Sequence, residues 1–258
     1  MNPVTASLLA ALAGLLGGAM NALAGGGTFA TMPTLVALGL PAPVANATSN
    51  VALQPGAIAS AWSYRTGLEP IGGLSVRALG MVTFAGGLIG SLLLVATPTR
   101  VFDLLIPWLL LIATLALIFG RRASAALHAR LTIGQRTLVV AQALLGTYGG
   151  YFGGGVGLMM TATWGLLAGV MPHRLMAART LMLAIANAAA TLIFVFAGIV
   201  SWGLCVPMLI GATAGGYGGA ALGKRLAPAL IRGWTIVVTC VTTAIFFLRA
   251  YFPNIALF

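Results

Sequence analysis

Apolar residues come in long runs along this chain rather than in alternation. Ten stretches, 4–24, 27–40, 43–64, 71–96, 101–120, 133–152, 155–170, 174–199, 201–222 and 230–251, are parted by breaks, most of which are short and bear Gly, Pro or Arg. Several reach the roughly 20 residues that cross a bilayer as helix. The apolar–polar alternation over about ten residues that marks a β-barrel strand is not visible. The pattern predicts an all-α polytopic membrane protein. Its longest polar stretch, "GRRASAALHARLTIGQR" at 120–136, divides the chain nearly in half. It reads as a linker, 121–136, between a first membrane repeat, 1–120, and a second, 137–258.

Composition strengthens this class. Hydrophobic residues make up 60% of the chain and charged residues 6%, against roughly 25% charged in soluble domains. The net charge of +11 suggests nucleic acid only until the basic residues are placed. They lie at segment ends, where membrane topology accounts for them, so the expected partners are the bilayer, a small anion and a second copy of the chain, and not nucleic acid. Cys205 and Cys240 lie in apolar runs without a CxxC or Cys/His pattern, which reads as core packing with neither metal nor cofactor. No Lys or Arg precedes the first apolar run, so it lacks the charged start of a signal peptide and reads as the first membrane element.

The halves repeat each other. "LLGGAMNALAGGGTFATM" at 15–32 lies over "LLGTYGGYFGGGVGLMM" at 144–160 when the glycine triplets are aligned, and "GLPAPVANATSNVAL" then matches "GVMPHRLMAARTLML". Further on, "GLSVRALGMVTFAGGLIG" at 73–90 matches "GLCVPMLIGATAGGYGG" at 203–219. The period is about 125 residues. If 4–40 and 133–170 are each a hairpin of two short helices and the linker is cytoplasmic, only Arg100 and Arg249 of the 13 basic residues fall outside. That bias is what the positive-inside rule expects of an inner-membrane protein, and it makes the repeats inverted, each with a glycine-broken hairpin and about three further spanning helices.

Inverted repeats with broken helices are a transporter signature. Glycine permits the turns, and non-helical backbone at membrane depth persists where it is buried in protein or lines a wet cavity. Each tip sets a new helix N-terminus near Gly27–Thr28 and Gly155–Val156, and paired N-termini with free N–H groups suit an anion. Close helix packing is the other reading of these glycines. It is the preferred one for Gly14/Gly18, Gly86/Gly90 and Gly215/Gly219.

The segment "NALAGGGTFATMPTLVALGLPAPVANATSNV", followed by "GTYGGYFGGGVGLMM", resembles the sulfite exporter TauE/SafE family of membrane permeases over nearly the whole chain. The resemblance implies a secondary carrier for small sulfur-containing anions such as sulfite, organosulfonates or sulfoacetate. Two positions depart from the family pattern: Val51 follows Asn50 where Lys is common, and Arg179 stands where a small residue is common.

Polar residues inside the runs supply the candidate site. Asn46, Ser49 and Asn50 share one helix face by their spacing, with Thr48 and Gln54 close by; helix capping by Asn46 or Thr48 is the alternative. Asn187 and Thr191 form a similar pair in the second half, and Asn21 precedes the first tip. Arg179, with Thr180 beside it, lies roughly 10 Å into its predicted helix at 1.5 Å per residue. Intramembrane charge faces a cavity or partner, and the two acids, Glu69 and Asp103, lie near element ends; snorkelling to the interface is the alternative. The substrate-binding set is therefore Gly25, Gly26, Gly27, Thr28, Asn46, Ser49, Asn50, Gly153, Gly154, Gly155, Arg179, Thr180 and Asn187.

Mechanism is bounded by what the runs lack. No Asp, Glu or His sits mid-span for a proton relay. Moving one negative charge out of a cell that is negative inside gains about 2.3 kcal/mol per 100 mV, which favours export. The stretch "GGAALGKR" at 218–225 fits GxxxxGK but continues with Arg225 and ends a membrane helix, so it is no phosphate loop. No hydrolase constellation assembles, so no enzyme is expected. Beside an exporting carrier, three classes stay open: an uptake permease for a sulfur anion such as thiosulfate, an anion channel, and a scaffold without transport.

Overall fold

The computed structural model describes residues 2–128, 134–169, 175–223, 226 and 228–252, with ten α-helices among them. These are α1 Pro3–Ala24, α2 Thr28–Ala37, α3 Ala42–Ser63, α4 Val76–Ala96 and α5 Thr99–His128 in the first half. In the second half they are α6 Gln135–Tyr151, α7 Val156–Ala168, α8 Met176–Phe196, α9 Trp202–Gly223 and α10 Pro228–Tyr251. Six of them, α1, α4, α5, α8, α9 and α10, are long and apolar enough to cross a membrane, and the chain is a multi-pass helical membrane protein. α3 is equally long at 22 residues, but its Asn, Thr, Ser and Gln make it less apolar, and those side chains are buried.

Every predicted run appears as a helix, with two differences at the ends. Residues 71–75 are not helical. Ile71 and Leu74 form a small antiparallel bridge around Gly72 and Gly73, both at positive φ, and Ser75 then caps α4 through the Ala78 N–H. α5 runs on to His128, into the stretch expected as linker, where the remaining residues 129–133 lie outside the described residues. So do residues 170–174 and the basic pair Lys224 and Arg225.

Partners are exchanged between the halves. α1 packs against α9, and α6, at the matching place five helices on, packs against α4. In the same way α3 meets α9 and α8 meets α4, while α7 meets α5 and α2 meets α10. The order of contacts gives directions. Gly14 faces Met208 and Gly18 faces Ala212, so α1 and α9 run parallel; Gly86 faces Ala143 and Gly90 faces Thr147, so α4 and α6 do too. The matched helices α3 and α8 run antiparallel, since Asn50 meets Asn187 and Thr191 whereas Gln54 meets Ala184. α5 and α10 are also antiparallel, from Trp108 against Tyr251 to Leu117 against Arg232.

Without a hydrophobic drive between helices in lipid, small residues carry this packing by letting backbones touch. A Cβ on Gly14 or Gly18 would strike the α9 backbone, and one on Gly215 or Gly219 would strike α1 at Leu15 and Ala19. Large side chains point the other way. Leu8, Leu12 and Leu16 of α1 are exposed, as are Trp234, Val237 and Val241 of α10, and these form the lipid-facing surface.

Candidate functional site

Both predicted tips form where the glycine triplets stand. α1 ends at Ala24, and Gly25 adopts φ 80°, sending its N–H back to the Met20 and Asn21 carbonyls. The Asn21 carboxamide oxygen accepts from the Gly27 N–H at 3.4 Å, and α2 starts at Thr28. In the second half α6 ends at Tyr151, Gly153 and Gly155 take φ of 76° and 74°, and α7 starts at Val156. These are left-handed conformations that an L side chain resists. The Tyr148 hydroxyl supports the turn from within, 2.8 Å from the Gly154 carbonyl and 3.0 Å from that of Leu109.

The tips touch. A Cβ built on Gly25 would lie 3.0 Å from the Gly157 Cα. The gap between the new helix starts holds a ring: a Cβ on Gly155 would come within 3.2 Å of Phe29, which is buried. Thr28 is buried at the first turn of α2.

Beside the second tip lies a polar joint between α3 and α8. Asn50 Nδ2 donates to Asn187 Oδ1 at 3.4 Å, and the Thr191 hydroxyl donates to Asn50 Oδ1 at 3.3 Å. Gln54 donates to the Ala184 carbonyl at 3.1 Å. A Cβ on Gly153 would lie 3.5 Å from the Asn50 amide nitrogen and 3.9 Å from the Asn187 oxygen. So Asn50, Asn187 and Gly153 come together. Ser49 does not join them: its hydroxyl pairs with that of Thr31 on α2. Thr48 accepts from the Ser201 N–H at 3.0 Å. Thr180 spends its hydroxyl on its own helix, at the Met176 and Ala177 carbonyls.

Asn46 and Arg179 do matching work on the two helices, although the repeat sets Arg179 over Ser49. Asn46 of α3 donates to the Tyr151 carbonyl at 3.1 Å, at the C-terminal end of α6. Arg179 of α8 donates through Nη2 to the Ala22 and Leu23 carbonyls, both at 3.3 Å, at the C-terminal end of α1. Because α8 starts at Met176, Arg179 sits in its first turn, where its own helix dipole opposes a cation. The C-terminus of α1, roughly half a negative charge, compensates. Arg179 is 6% exposed, and its Nη2 bonds go to the end of α1 and to Met176 rather than to the Asn50–Asn187 joint. Its stem passes over Gly157, whose Cβ would lie 3.5 Å from Arg179 Cγ.

A cavity of about 230 Å³ opens at Arg179, lined by the ends of α1 and α9, the middle of α5 and the opening turns of α8 and α10, with α7 as one wall. A second guanidinium reaches it. Arg232, in the first turn of α10, donates to the Ile118 carbonyl at 2.9 Å and the Leu117 carbonyl at 3.4 Å. Sequence reasoning used Arg232 only as a topology charge. A basic residue two positions inside a predicted apolar run was the available signal. Phe29 and Tyr148 gave none, since buried aromatic residues in apolar runs are ordinary core.

Comparison with known proteins places this arrangement. The family model for the sulfite exporter TauE/SafE matches residues 10–246. A "Probable membrane transporter protein" of Haemophilus influenzae is 27% identical over 232 residues, 90% of this chain and 90% of its own length. The "Probable membrane transporter protein YfcA" of Escherichia coli K12 is 28% identical over 231 residues, 89% and 85% of the two chains. The "Probable membrane transporter protein ORF9" of a Sinorhizobium species is 29% identical over 222 residues, 84% and 82%. No solved structure matches.

Proposed function

The chain belongs to the sulfite exporter TauE/SafE family, and we propose that this membrane transporter is a secondary carrier exporting a small sulfur oxyanion, sulfite or an organosulfonate such as sulfoacetate, across the inner membrane by alternating access. Its two halves act as inverted repeats. The observation that carries this is the α3–α8 joint: two helices at matching positions meet antiparallel, through Asn50 and Asn187, next to Gly153 of a broken hairpin. A rotation axis along the membrane normal would leave matched helices parallel; an axis in the membrane plane reverses one, as inverted-repeat carriers require. Rocking of the group α1, α3 and α9 against the group α4, α6 and α8, each built from both halves, then exposes the joint to each side in turn.

Uncharged carboxamides suit an anion that must also leave. The membrane potential supplies about 2.3 kcal/mol per 100 mV for each negative charge moved outward, so export needs no coupling ion. The face carrying Arg65, Arg77 and Arg136 is the cytoplasmic one by the positive-inside rule.

Flux into proteoliposomes under an imposed potential, with sulfite, sulfate, thiosulfate, sulfoacetate, acetate and chloride compared, tests the reading. Saturable, potential-sensitive movement of one sulfur oxyanion is expected; folded protein that moves none of them overturns it. Topology is checked separately with single cysteines in a background lacking Cys205 and Cys240. Ala123→Cys and Glu69→Cys should both react from the cytoplasm, and opposite reactivity would undo the inversion.

A further inference from the structure

The cavity framed by Arg179 and Arg232 is set apart from the Asn50–Asn187 joint, and its chemistry is different. Both guanidiniums are tied to main-chain carbonyls through Nη2, and in both the buried Nε has no hydrogen-bond partner. An arginine carries five donors in a fixed fork, and a desolvated donor left unmade is costly, more so on a charged group. Neither acid of the chain can answer it. Glu69 and Asp103 do not line the cavity, and Asp103 lies 14 residues before Leu117 on α5, roughly 21 Å away at 1.5 Å per residue. The α1 C-terminus offsets about half of one charge. The cavity therefore keeps a net positive charge inside an apolar wall.

We propose that this cavity is an oxyanion-binding site, with Arg179 and Arg232 as its two cationic ligands. The shape agrees with the charge. A volume of about 230 Å³ holds several waters of about 30 Å³ each, so a tetrahedral or pyramidal oxyanion with part of its hydration enters without forcing the helices apart. Planar guanidinium forks match such oxygens in pairs. Thr161 and Thr235 line the same space, but their hydroxyls bond to the Gly157 and Ile231 carbonyls of their own helices, which leaves the arginines to bind. Arg179 Nη2 already serves three acceptors, the Ala22 and Leu23 carbonyls and the Met176 sulfur, so an anion that draws the guanidinium into the cavity competes with them, linking occupancy of the cavity to the hold on the first tip. That this is the loading site on the cytoplasmic face rests on the transporter reading above; the affinity of the cavity for an oxyanion does not.

The experiment uses the full chain in detergent, titrated with sodium sulfate at constant ionic strength against chloride, read by calorimetry and thermal shift. Saturable sulfate binding is expected, weakened at least tenfold by Arg232→Gln and by Arg179→Gln, with Arg232→Lys intermediate. Modification of Arg179 and Arg232 by phenylglyoxal, mapped by mass spectrometry in the unaltered chain, should slow as sulfate is added, a readout that needs no variant to fold. Nanodiscs of phosphatidylcholine with and without phosphatidylglycerol separate the sources of the oxyanion. Sulfate binding unaffected by phosphatidylglycerol marks a free anion; competition with it marks a lipid phosphate at the same two arginines. Neither sulfate nor phosphatidylglycerol protecting the arginines overturns the site. Flux measured on the same preparations keeps the two claims apart: flux with no sulfate binding sinks this site alone, and sulfate binding with no flux sinks the carrier alone.

Discussion

At the end of α1 the last carbonyls meet a guanidinium, while at the end of α6 the last carbonyl meets a carboxamide. A helix that ends buried in protein leaves several C=O groups unpaired, and buried carbonyls need donors. Both halves answer by sending a donor from the matching helix of the other half, α8 in one case and α3 in the other. The charged donor makes the stronger bond, reaches two carbonyls at once, and leaves positive charge beside a cavity. The neutral donor reaches one carbonyl, and its own oxygen, Asn46 Oδ1, is buried without a partner. One architecture thus carries a cationic side and a neutral side.

The largest expected effect separates the glycines within the tips. Gly155→Val combines positive φ with a Cβ 2.7 Å from that of Ala113. Overpacking and backbone strain together should cost about 3 kcal/mol or more, read as a collapse of monodisperse yield and thermal midpoint. Gly26→Ala keeps an ordinary φ and makes no contact closer than the Phe29 ring at 3.4 Å, so about 1 kcal/mol or less is expected. Equal losses at the two positions would mean that the turn geometry described above is not what constrains the triplets.

Next comes the comparison of donors itself. Arg179→Gln keeps an amide near the α1 carbonyls and removes the charge. The folded yield should survive while the anion concentration at half-maximal flux rises about tenfold, equivalent to about 1.4 kcal/mol. Asn46→Leu removes one neutral bond, about 1 kcal/mol of stability, and should shift half-saturation less. A matching shift from both variants would erase the difference between the sides, and an unchanged half-saturation for Arg179→Gln would end its role in binding.

The helices and the breaks between them were legible because each is local. Apolar runs set the spans, and glycine triplets set the turns at Gly25 and Gly155. The pairings were not legible because their partners are main-chain atoms far along the chain. Arg179 answers carbonyls 156 and 157 residues away, and no side-chain pattern encodes a carbonyl. The shared face of Asn46, Ser49 and Asn50 was only partly informative. A helix buried on most sides offers no single face, so Ser49 turned to Thr31 while its neighbours turned to the second half. The cavity at Arg179 and Arg232 needed the ends of several elements at once, which spacing along one run cannot express.

The smallest effect decides whether the α3–α8 joint opens. The Asn50–Asn187 bond is long at 3.4 Å, and Thr191 shares Asn50. Hydrogen bonds between membrane helices average about 0.6 kcal/mol in double-mutant cycles. A cycle of Asn50→Ala and Asn187→Ala, read by thermal unfolding, should give a coupling near that size without anion. Saturating transported anion should bring it toward zero, because carboxamides that turn to a ligand no longer bond each other. A coupling above about 2 kcal/mol that ignores the anion would describe a permanent weld, and two helix groups welded at α3 and α8 cannot alternate around that joint. A small coupling that the anion abolishes ties this long bond between α3 and α8 to the step in which substrate is held and released.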